Sequence, residues 1–459
     1  MGTRNHSDVP IVFWSLLALL IHMLNCLGAN GFSIKLIPRY SIDSSLFPQN
    51  LSLLEKHYRI AELSKARALH FKSMNFANLI NSTKQGIQTL QPKIQYALSN
   101  LYVVQMYIGT VPYSALLLMD SGSDDTWLQA EGCTNCFPLR GGNFQYHDSR
   151  TYRAVSCDHP LCNPRICERG LCFYVSSYIS GSFSRGIVSA ENFTFTGNGG
   201  FVSFLNVVFG AGFDNQNIVF GRTMGPNNVI AGVFGLGAGR RSFLRQLASD
   251  TNLRFSYCLP SSSSLVETYT YLRFGNDATI SGDVTRRVQT TPMMPGIARY
   301  YVNVTGISMD GILLPIDPAV FVLQDDGNGG FAVDSGSGAT FLVWNAYIVV
   351  KNEIIRYFWR YGWPPLEESQ QLPYDLCYGF VPTTQALPTL TIHFIQANLV
   401  LDSKGVFQVI DNNMFCMVIL PINELGPSLL GAFQQVDYRF LFDVRASTMS
   451  FVPETCLNN

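Results

Sequence analysis

The sequence predicts a predominantly β protein of two related lobes sharing one cleft, and three observations point there. The tetrapeptide Asp-Ser-Gly-Ser occurs twice, at Asp120–Ser123 and Asp334–Ser337, each time after a short apolar run, Leu116-Leu117-Leu118-Met119 or Phe331-Ala332-Val333. Each copy is followed far downstream by an apolar-apolar-Gly segment, Val233-Phe234-Gly235 or Leu429-Leu430-Gly431. The chain has 459 residues, too many for one ordinary core, with only 14% charged and 13% aromatic residues. One Asp-Ser-Gly is only a turn. Two on one scaffold suggest that each lobe delivers one carboxylate to a common site, the minimum apparatus for acid–base hydrolysis through a bound water.

The elements follow in order. Arg4 precedes an apolar stretch from Val9 to Leu27, and the small residues Gly28 and Ala29 come next. Residues 1–29 therefore read as a secretory signal peptide. A transmembrane anchor is the alternative, since the stretch is near spanning length, but His22, Asn25 and the small residues favour cleavage. No second spanning segment exists, and Glu454–Asn459 is too polar for a lipid-anchor signal. Residues 30–95 carry nine basic against three acidic residues, whereas 96–459 carry 21 against 28. Within the basic segment, Leu51–Phe71 has helical spacing at Leu54, Tyr58, Ala61 and Lys65. Residues 30–95 are expected to be a propeptide lying over an acidic cleft, with a solvated extension as the plainer alternative.

Beyond residue 96 the pattern is mostly strands. Tyr102–Ile108 is β-rich and closes on Gly109-Thr110 and Pro112; Asn192–Thr196, Phe201–Phe209, Tyr269–Phe274, Tyr300–Ser308, Leu390–Phe394 and Phe440–Phe451 read similarly. Ser242–Ala248 and Ala346–Tyr361 read as helices, and Ser261–Ser264 as a loop. The lobe boundary is placed near 275, giving an N-terminal lobe over 96–275 with Asp120 and a C-terminal lobe over 276–459 with Asp334. A formal net charge of −1 gives no reason to expect nucleic acid as a partner.

Of eleven cysteines, Cys26 leaves with the signal peptide, and ten remain in a chain entering an oxidising compartment. Disulfides are the natural reading. Six crowd one segment: Cys133, Cys136, Cys157, Cys162, Cys167 and Cys172. Cys133-x-x-Cys136 near His159 admits a zinc reading, which the signal peptide disfavours; the other histidines are scattered, so no metal cluster is visible.

A catalytic carboxylate must sit at the end of a buried strand, on a tight turn, held by local donors. Gly122 and Gly336 lack Cβ and let their backbones approach a partner loop. Ser123 and Ser337 are placed to donate hydrogen bonds to the carboxylates. Two carboxylates within hydrogen-bond reach cannot both ionise cheaply, so such a pair shares a proton over an acidic range.

With these motifs in place, the chain resembles the pepsin-like aspartic proteases, specifically their plant nepenthesin-like branch, from residue 31 to 456. Leu117–Trp127 resembles the first active-site block, Ala231–Gly237 its supporting loop, Phe331–Ser337 the second block, and Ser428–Gln435 with Phe442-Asp443 the matching C-terminal segment. Gly31–Arg39 resembles the start of that branch's propeptide, and 133–172 its cysteine-rich insertion. The resemblance implies an all-β, bilobal pepsin-like fold with a few short helices and a cysteine-rich insertion in the N-terminal lobe. It implies an aspartic endopeptidase with catalytic Asp120 and Asp334 acting on polypeptides without a cofactor. It also implies a flap whose Tyr178 closes over the substrate, supported by Trp127. Disulfides Cys258–Cys456 and Cys377–Cys416 are carried over from it, leaving the six cysteines of 133–172 to pair among themselves. A monomer inhibited by its own propeptide is the expected form, secreted to the extracellular space, with the vacuole as alternative destination. Asn50, Asn81, Asn192 and Asn303 lie in glycosylation sequons.

There are departures. Ile179 follows the flap tyrosine where Gly is usual, Asp125 stands where an apolar residue is usual, and Ser121 where Thr is commoner. A carboxylate at Asp125 would be exposed or would perturb the pair electrostatically. Ala130 and Ala211 replace two cysteines; if those would be bonded to each other, the alanines should lie with Cα atoms within ~7 Å. The rival reading is a catalytically weak or inactive homologue acting as a binding or inhibitor protein on the same fold. A serine hydrolase is disfavoured because Ser123 and Ser337 lack a Gly-x-Ser-x-Gly setting and a histidine base. A nucleotide loop at Gly232–Gly239 lacks a βαβ setting.

Overall fold

The computed structural model describes residues 32–37, 54, 57, 93–97, 101–177, 182–197, 200–218, 220, 228–261, 270–281, 287–367, 372–379, 387–411, 413–423 and 426–456. The protein is mostly β, with short helices and the bilobal pepsin-like arrangement. One 16-stranded sheet runs through both lobes. Strand Arg254–Cys258 pairs antiparallel with Tyr438–Asp443, which pairs in turn with Thr448–Pro453. Phe32–Ile37 is a strand of this sheet, antiparallel to Thr270–Phe274 and parallel to Lys93–Ala97. The helical expectation over Leu51–Phe71 lies outside the described residues except at Leu54 and His57, both helical.

The apolar run before Asp120 becomes strand Tyr113–Asp120, buried from Ala115 onward. It lies between Leu101–Ile108, antiparallel, and Ile230–Gly235, parallel. A strand covered on both faces needs apolar residues at every position, because successive side chains alternate. Ala115, Leu117 and Met119 accordingly enter the main core, while Leu116 and Leu118 enter a second core with Trp127, Tyr174 and Val233.

The C-terminal lobe repeats this plan. Phe331–Val333 pairs parallel with Ser428–Leu430, as Tyr113–Asp120 does with Ile230–Gly235. Thr340–Val343 crosses Ser428–Leu430 antiparallel, as Trp127–Gln129 crosses Ile230–Gly235. Equivalent threonines then meet equivalent glycines: the Gly235 amide donates to Thr126 Oγ1 at 3.2 Å, and the Gly431 amide to Thr340 Oγ1 at 2.9 Å. Both glycines are required by close approach, since a Cβ would lie 2.4 Å from the Asp124 carbonyl oxygen at Gly235 and 2.2 Å from the Ala339 oxygen at Gly431.

Several elements differ from expectation in extent. The hairpin strands expected at Asn192–Thr196 and Phe201–Phe209 run longer, as Phe183–Gly197 and Gly200–Gln216. The helix expected at Ser242–Ala248 is a four-residue turn, Phe243–Gln246, capped by the Ser242 side chain and followed by Ala248–Thr251. The long helix spans Trp344–Trp359 and buries Ala346, Tyr347, Val350, Ile354 and Phe358, an i, i+4 stripe.

Five disulfides close: Cys133–Cys136, Cys157–Cys167, Cys162–Cys172, Cys258–Cys456 and Cys377–Cys416. Ala130, just after strand Trp127–Gln129, and Ala211, on the adjacent strand, are fully buried; Leu128 is the register partner of Ala211, and the Ala130 amide donates to the Gly212 carbonyl at 3.1 Å. Among the described residues no helix is long and apolar enough to cross a membrane.

Candidate active site

Both Asp-Ser-Gly turns leave the ends of buried strands, and both aspartates are fully buried. Each loops its carboxylate back onto its own glycine. The Gly122 amide donates to Asp120 Oδ1 at 2.8 Å, and the Gly336 amide to Asp334 Oδ1 at 2.9 Å. The backbone behind them is fixed by the downstream apolar-Gly segments: Leu236 N–H donates to the Asp120 carbonyl at 2.8 Å, and Asp334 N–H to the Leu430 carbonyl at 3.1 Å.

The residues directly after the aspartates join the two lobes. The Ser121 amide donates to Ser335 Oγ at 3.2 Å, and the Ser335 amide to Ser121 Oγ at 2.9 Å. Each hydroxyl also reaches back across the junction, Ser121 Oγ to the Val333 carbonyl and Ser335 Oγ to the Met119 carbonyl, both at 3.4 Å. The two turns carrying Asp120 and Asp334 therefore meet. Sequence reasoning assigned no such role to Ser121 and Ser335. The signal was there: the same hydroxyl residue stands second in both tetrapeptides.

The second serines of the tetrapeptides part company. Ser123 Oγ donates to Asp120 Oδ2, as expected. Ser337 Oγ donates instead to the Ala339 carbonyl, at 3.1 Å, so its hydroxyl shapes its own turn and is not a donor to Asp334. The sequences after the tetrapeptides differ, Asp124-Asp125 against Gly338-Ala339, and the second turn closes on itself through the Ala339 oxygen. Nearby, Tyr257 is fully buried and its hydroxyl donates to Gln435 Oε1 at 2.5 Å. Burial pushes that hydroxyl well above its ordinary range, and the Asp334 charge pushes it further. From the start of the second lobe, the Tyr300 hydroxyl donates to the Leu236 carbonyl at 2.6 Å.

Two further carboxylates follow the first turn. Asp124 is enclosed, with Oδ1 accepting from the Gly239 amide at 2.7 Å. Burial pushes its pKa up to about 6; the Gly239 bond and the Arg299 and Arg241 charges oppose the rise, while Asp125 adds to it. Asp125 is neither exposed nor unpaired: Arg241 Nε and a terminal nitrogen grip its two oxygens at 2.6 and 2.7 Å. Trp127 is fully buried beside Phe137 and Phe220. Tyr178 and Ile179 lie outside the described residues, as do Asn50 and Asn81. Asn192 and Asn303 are half-buried, and Asn192 Oδ1 accepts from the Asn206 amide at 3.2 Å. Among the described residues no cluster of His, Cys, Asp and Glu is arranged to hold a metal ion.

Comparison with known proteins agrees with this geometry. Residues 102–276 match the family model described as Xylanase inhibitor N-terminal, and 299–453 the one described as Xylanase inhibitor C-terminal. The chain is 32% identical over 370 residues to aspartic proteinase nepenthesin-1 of Nepenthes gracilis, covering 79% of each chain. It is 31% identical over 371 residues to Aspartyl protease family protein 2 of Arabidopsis thaliana, covering 78% of this chain and 71% of that one. Among solved structures it is similar in fold to edgp, with a TM-score of 0.62 and 18% identity over 78% of this chain and 92% of that chain. It is similarly related to basic 7S globulin from soybean, with a TM-score of 0.60 and 16% identity over 77% and 93%. From the duplicated turns, their joined serines and these relatives together, the chain belongs to the pepsin-like aspartic proteases, in the plant nepenthesin-like branch.

Proposed function

We propose that this protein is an acid-active aspartic endopeptidase in which Asp120 and Asp334 share one water and one proton. The observation that carries the reading is the reciprocal Ser121–Ser335 exchange, which ties together the two turns bearing the aspartates. The ionised member of the pair takes a proton from the water, and the resulting hydroxide attacks the scissile carbonyl carbon. The protonated member donates to the carbonyl oxygen and stabilises the tetrahedral oxyanion. Return of a proton to the leaving amine breaks the C–N bond and restores the shared-proton state. The glycine amides at Gly122 and Gly336 each hold Oδ1 of their aspartate, and Ser123 Oγ holds Oδ2 of Asp120, which fixes the carboxylates for this chemistry. Tyr178 closes over the substrate as the flap, with Trp127 in support.

The chain enters the secretory route on residues 1–29, is glycosylated at its sequons, and is held inactive by residues 30–95 until acid exposure. A second reading, a binding or inhibitor protein on this fold, is favoured by the description of the matching family models as xylanase inhibitor. The retained aspartates with their glycine donors favour the peptidase. Hydrolysis of denatured globin at acidic pH, abolished by pepstatin, supports the peptidase; its absence in correctly processed protein supports the binding reading.

A further inference from the structure

Asp125 puts a second consecutive carboxylate, after Asp124, into the loop that leaves Asp120. An unpaired charge there would be expensive, since its side chain is only 15% exposed. The compensation comes from 116 residues away. Arg241, itself 20% exposed, meets both Asp125 oxygens in a two-pronged grip at 2.6 and 2.7 Å. Such planar, two-bond pairing fixes orientation as well as neutralising charge.

Arg241 sits at the end of the Gly-rich loop that supports the Asp120 turn. In that loop, Leu236 N–H holds the Asp120 carbonyl at 2.8 Å and Gly237 N–H the Ser123 carbonyl at 2.9 Å. The Gly239 amide holds Asp124, whose carboxylate fills the space a Cβ at residue 239 would need. The loop is anchored behind by Gln246, whose side-chain amide donates to the Arg241 carbonyl at 2.8 Å. Tyr174, on the strand Leu171–Ser177 that leads toward Tyr178, lines a small cavity together with Asp125, Thr126 and Arg241. The charged and titratable groups acting on Arg241 are thus Asp125, Asp124 and Tyr174.

We infer that Arg241 and Asp125 are positioning residues for the Asp120 turn: their ion pair clamps the first active-site loop to the Gly-rich loop, and it neutralises the added carboxylate. The inference rests on the peptidase reading for its kinetic consequence but not for its structural one. The clamp acts through the backbone of 120–127, so loosening it misplaces Asp120 without touching the substrate.

The test compares wild type, expressed as the full chain and then acid-processed, with Arg241→Gln, Asp125→Asn and the double variant Asp125→Leu/Arg241→Leu. Hydrogen exchange is followed in peptides covering 117–127 and 235–243. Each single variant is expected to speed exchange about tenfold in both peptides and to leave the C-terminal lobe unchanged. The apolar double variant removes the buried charges together and should restore protection. On a peptide substrate, the single variants should lower kcat about tenfold per folded site with KM within about twofold, since a displaced group costs rate more than binding. Unchanged exchange in both single variants, or an increase spread over the whole chain, overturns the clamp. If wild type proves inactive while the two peptides respond as described, the peptidase reading fails and the clamp stands.

Discussion

Ser121 and Ser335 exchange amide-to-hydroxyl hydrogen bonds at 3.2 and 2.9 Å across the junction of the lobes, one residue beyond each aspartate. Both serines are fully buried. Replacing either by alanine leaves the partner amide without its acceptor, and an unsatisfied buried donor costs about 1–3 kcal/mol. Ser335→Ala is therefore expected to lower the denaturant midpoint and to reduce kcat about tenfold through misplaced carboxylates. Ser335→Thr keeps the hydroxyl and should retain most of both. Equal stability and turnover in Ser335→Ala and wild type would contradict the role given to the exchange.

Asp124 provides a pH signature. Its folded-state pKa of about 6 lies above the ordinary carboxylate value, chiefly through burial. The folded protein therefore binds this proton more tightly than the unfolded chain. The stability it brings is complete below about pH 4 and is lost as pH rises through about 6, an effect on the order of 2–3 kcal/mol. Asp124→Asn removes the ionisation. Urea unfolding at pH 4, 5, 6 and 7 should show a downward component in wild type that the variant lacks. Parallel pH profiles for the two proteins would contradict it.

The disulfides should differ in worth according to the loops they close. Cys258–Cys456 spans 198 residues, whereas Cys133–Cys136 spans three. Loop-closure entropy makes the long closure more stabilising by about 3.7 kcal/mol. Cys258→Ala/Cys456→Ala is expected to lower Tm well below Cys133→Ala/Cys136→Ala. Equal losses would show that native-state packing, and not chain entropy, governs both.

His57 links the basic N-terminal segment to the second lobe. Its ring is buried, stacks on Phe433 at 6.0 Å, and lies 3.3 Å from the Tyr374 hydroxyl through Nδ1. Phe433 belongs to the turn Ala432–Gln435 directly after Gly431. As pH falls through about 4 the acidic body loses negative charge while the nine basic residues of 30–95 keep theirs. Acid should therefore release the segment, and His57→Ala, which removes the packing on Phe433 and the Tyr374 contact, should shift release to higher pH. Limited proteolysis against pH, in an Asp120→Asn background that prevents self-cleavage, measures this. Coincident release curves would contradict it.

The two-lobe plan was legible because it is written twice: identical tetrapeptides after buried runs became parallel strand pairs of the same design at Asp120/Gly235 and Val333/Leu430. The Ser121–Ser335 exchange was legible in principle, since a symmetric junction pairs equivalent positions. The Arg241 partner of Asp125 was not, because side chains 116 residues apart meet only through tertiary packing. Nor was the divergence of Ser123 and Ser337: the hydroxyls of identical tetrapeptides take different acceptors when the next two residues differ, and Ala339 offers a carbonyl where the first loop turns toward Gly239. The pairing Cys157–Cys167 and Cys162–Cys172, both with a separation of ten, likewise depends on strand register, which spacing alone leaves open.

The central claim is that Asp120 and Asp334 act as one pair. The direct test is kcat on a peptide substrate at acidic pH for wild type, Asp120→Asn and Asp334→Asn, each verified as folded by its unfolding transition. The account predicts that either substitution alone lowers kcat by about three orders of magnitude or more, and that the double variant is scarcely worse, as for residues that act as a unit. Normal turnover in either single variant, with the fold intact, would contradict it.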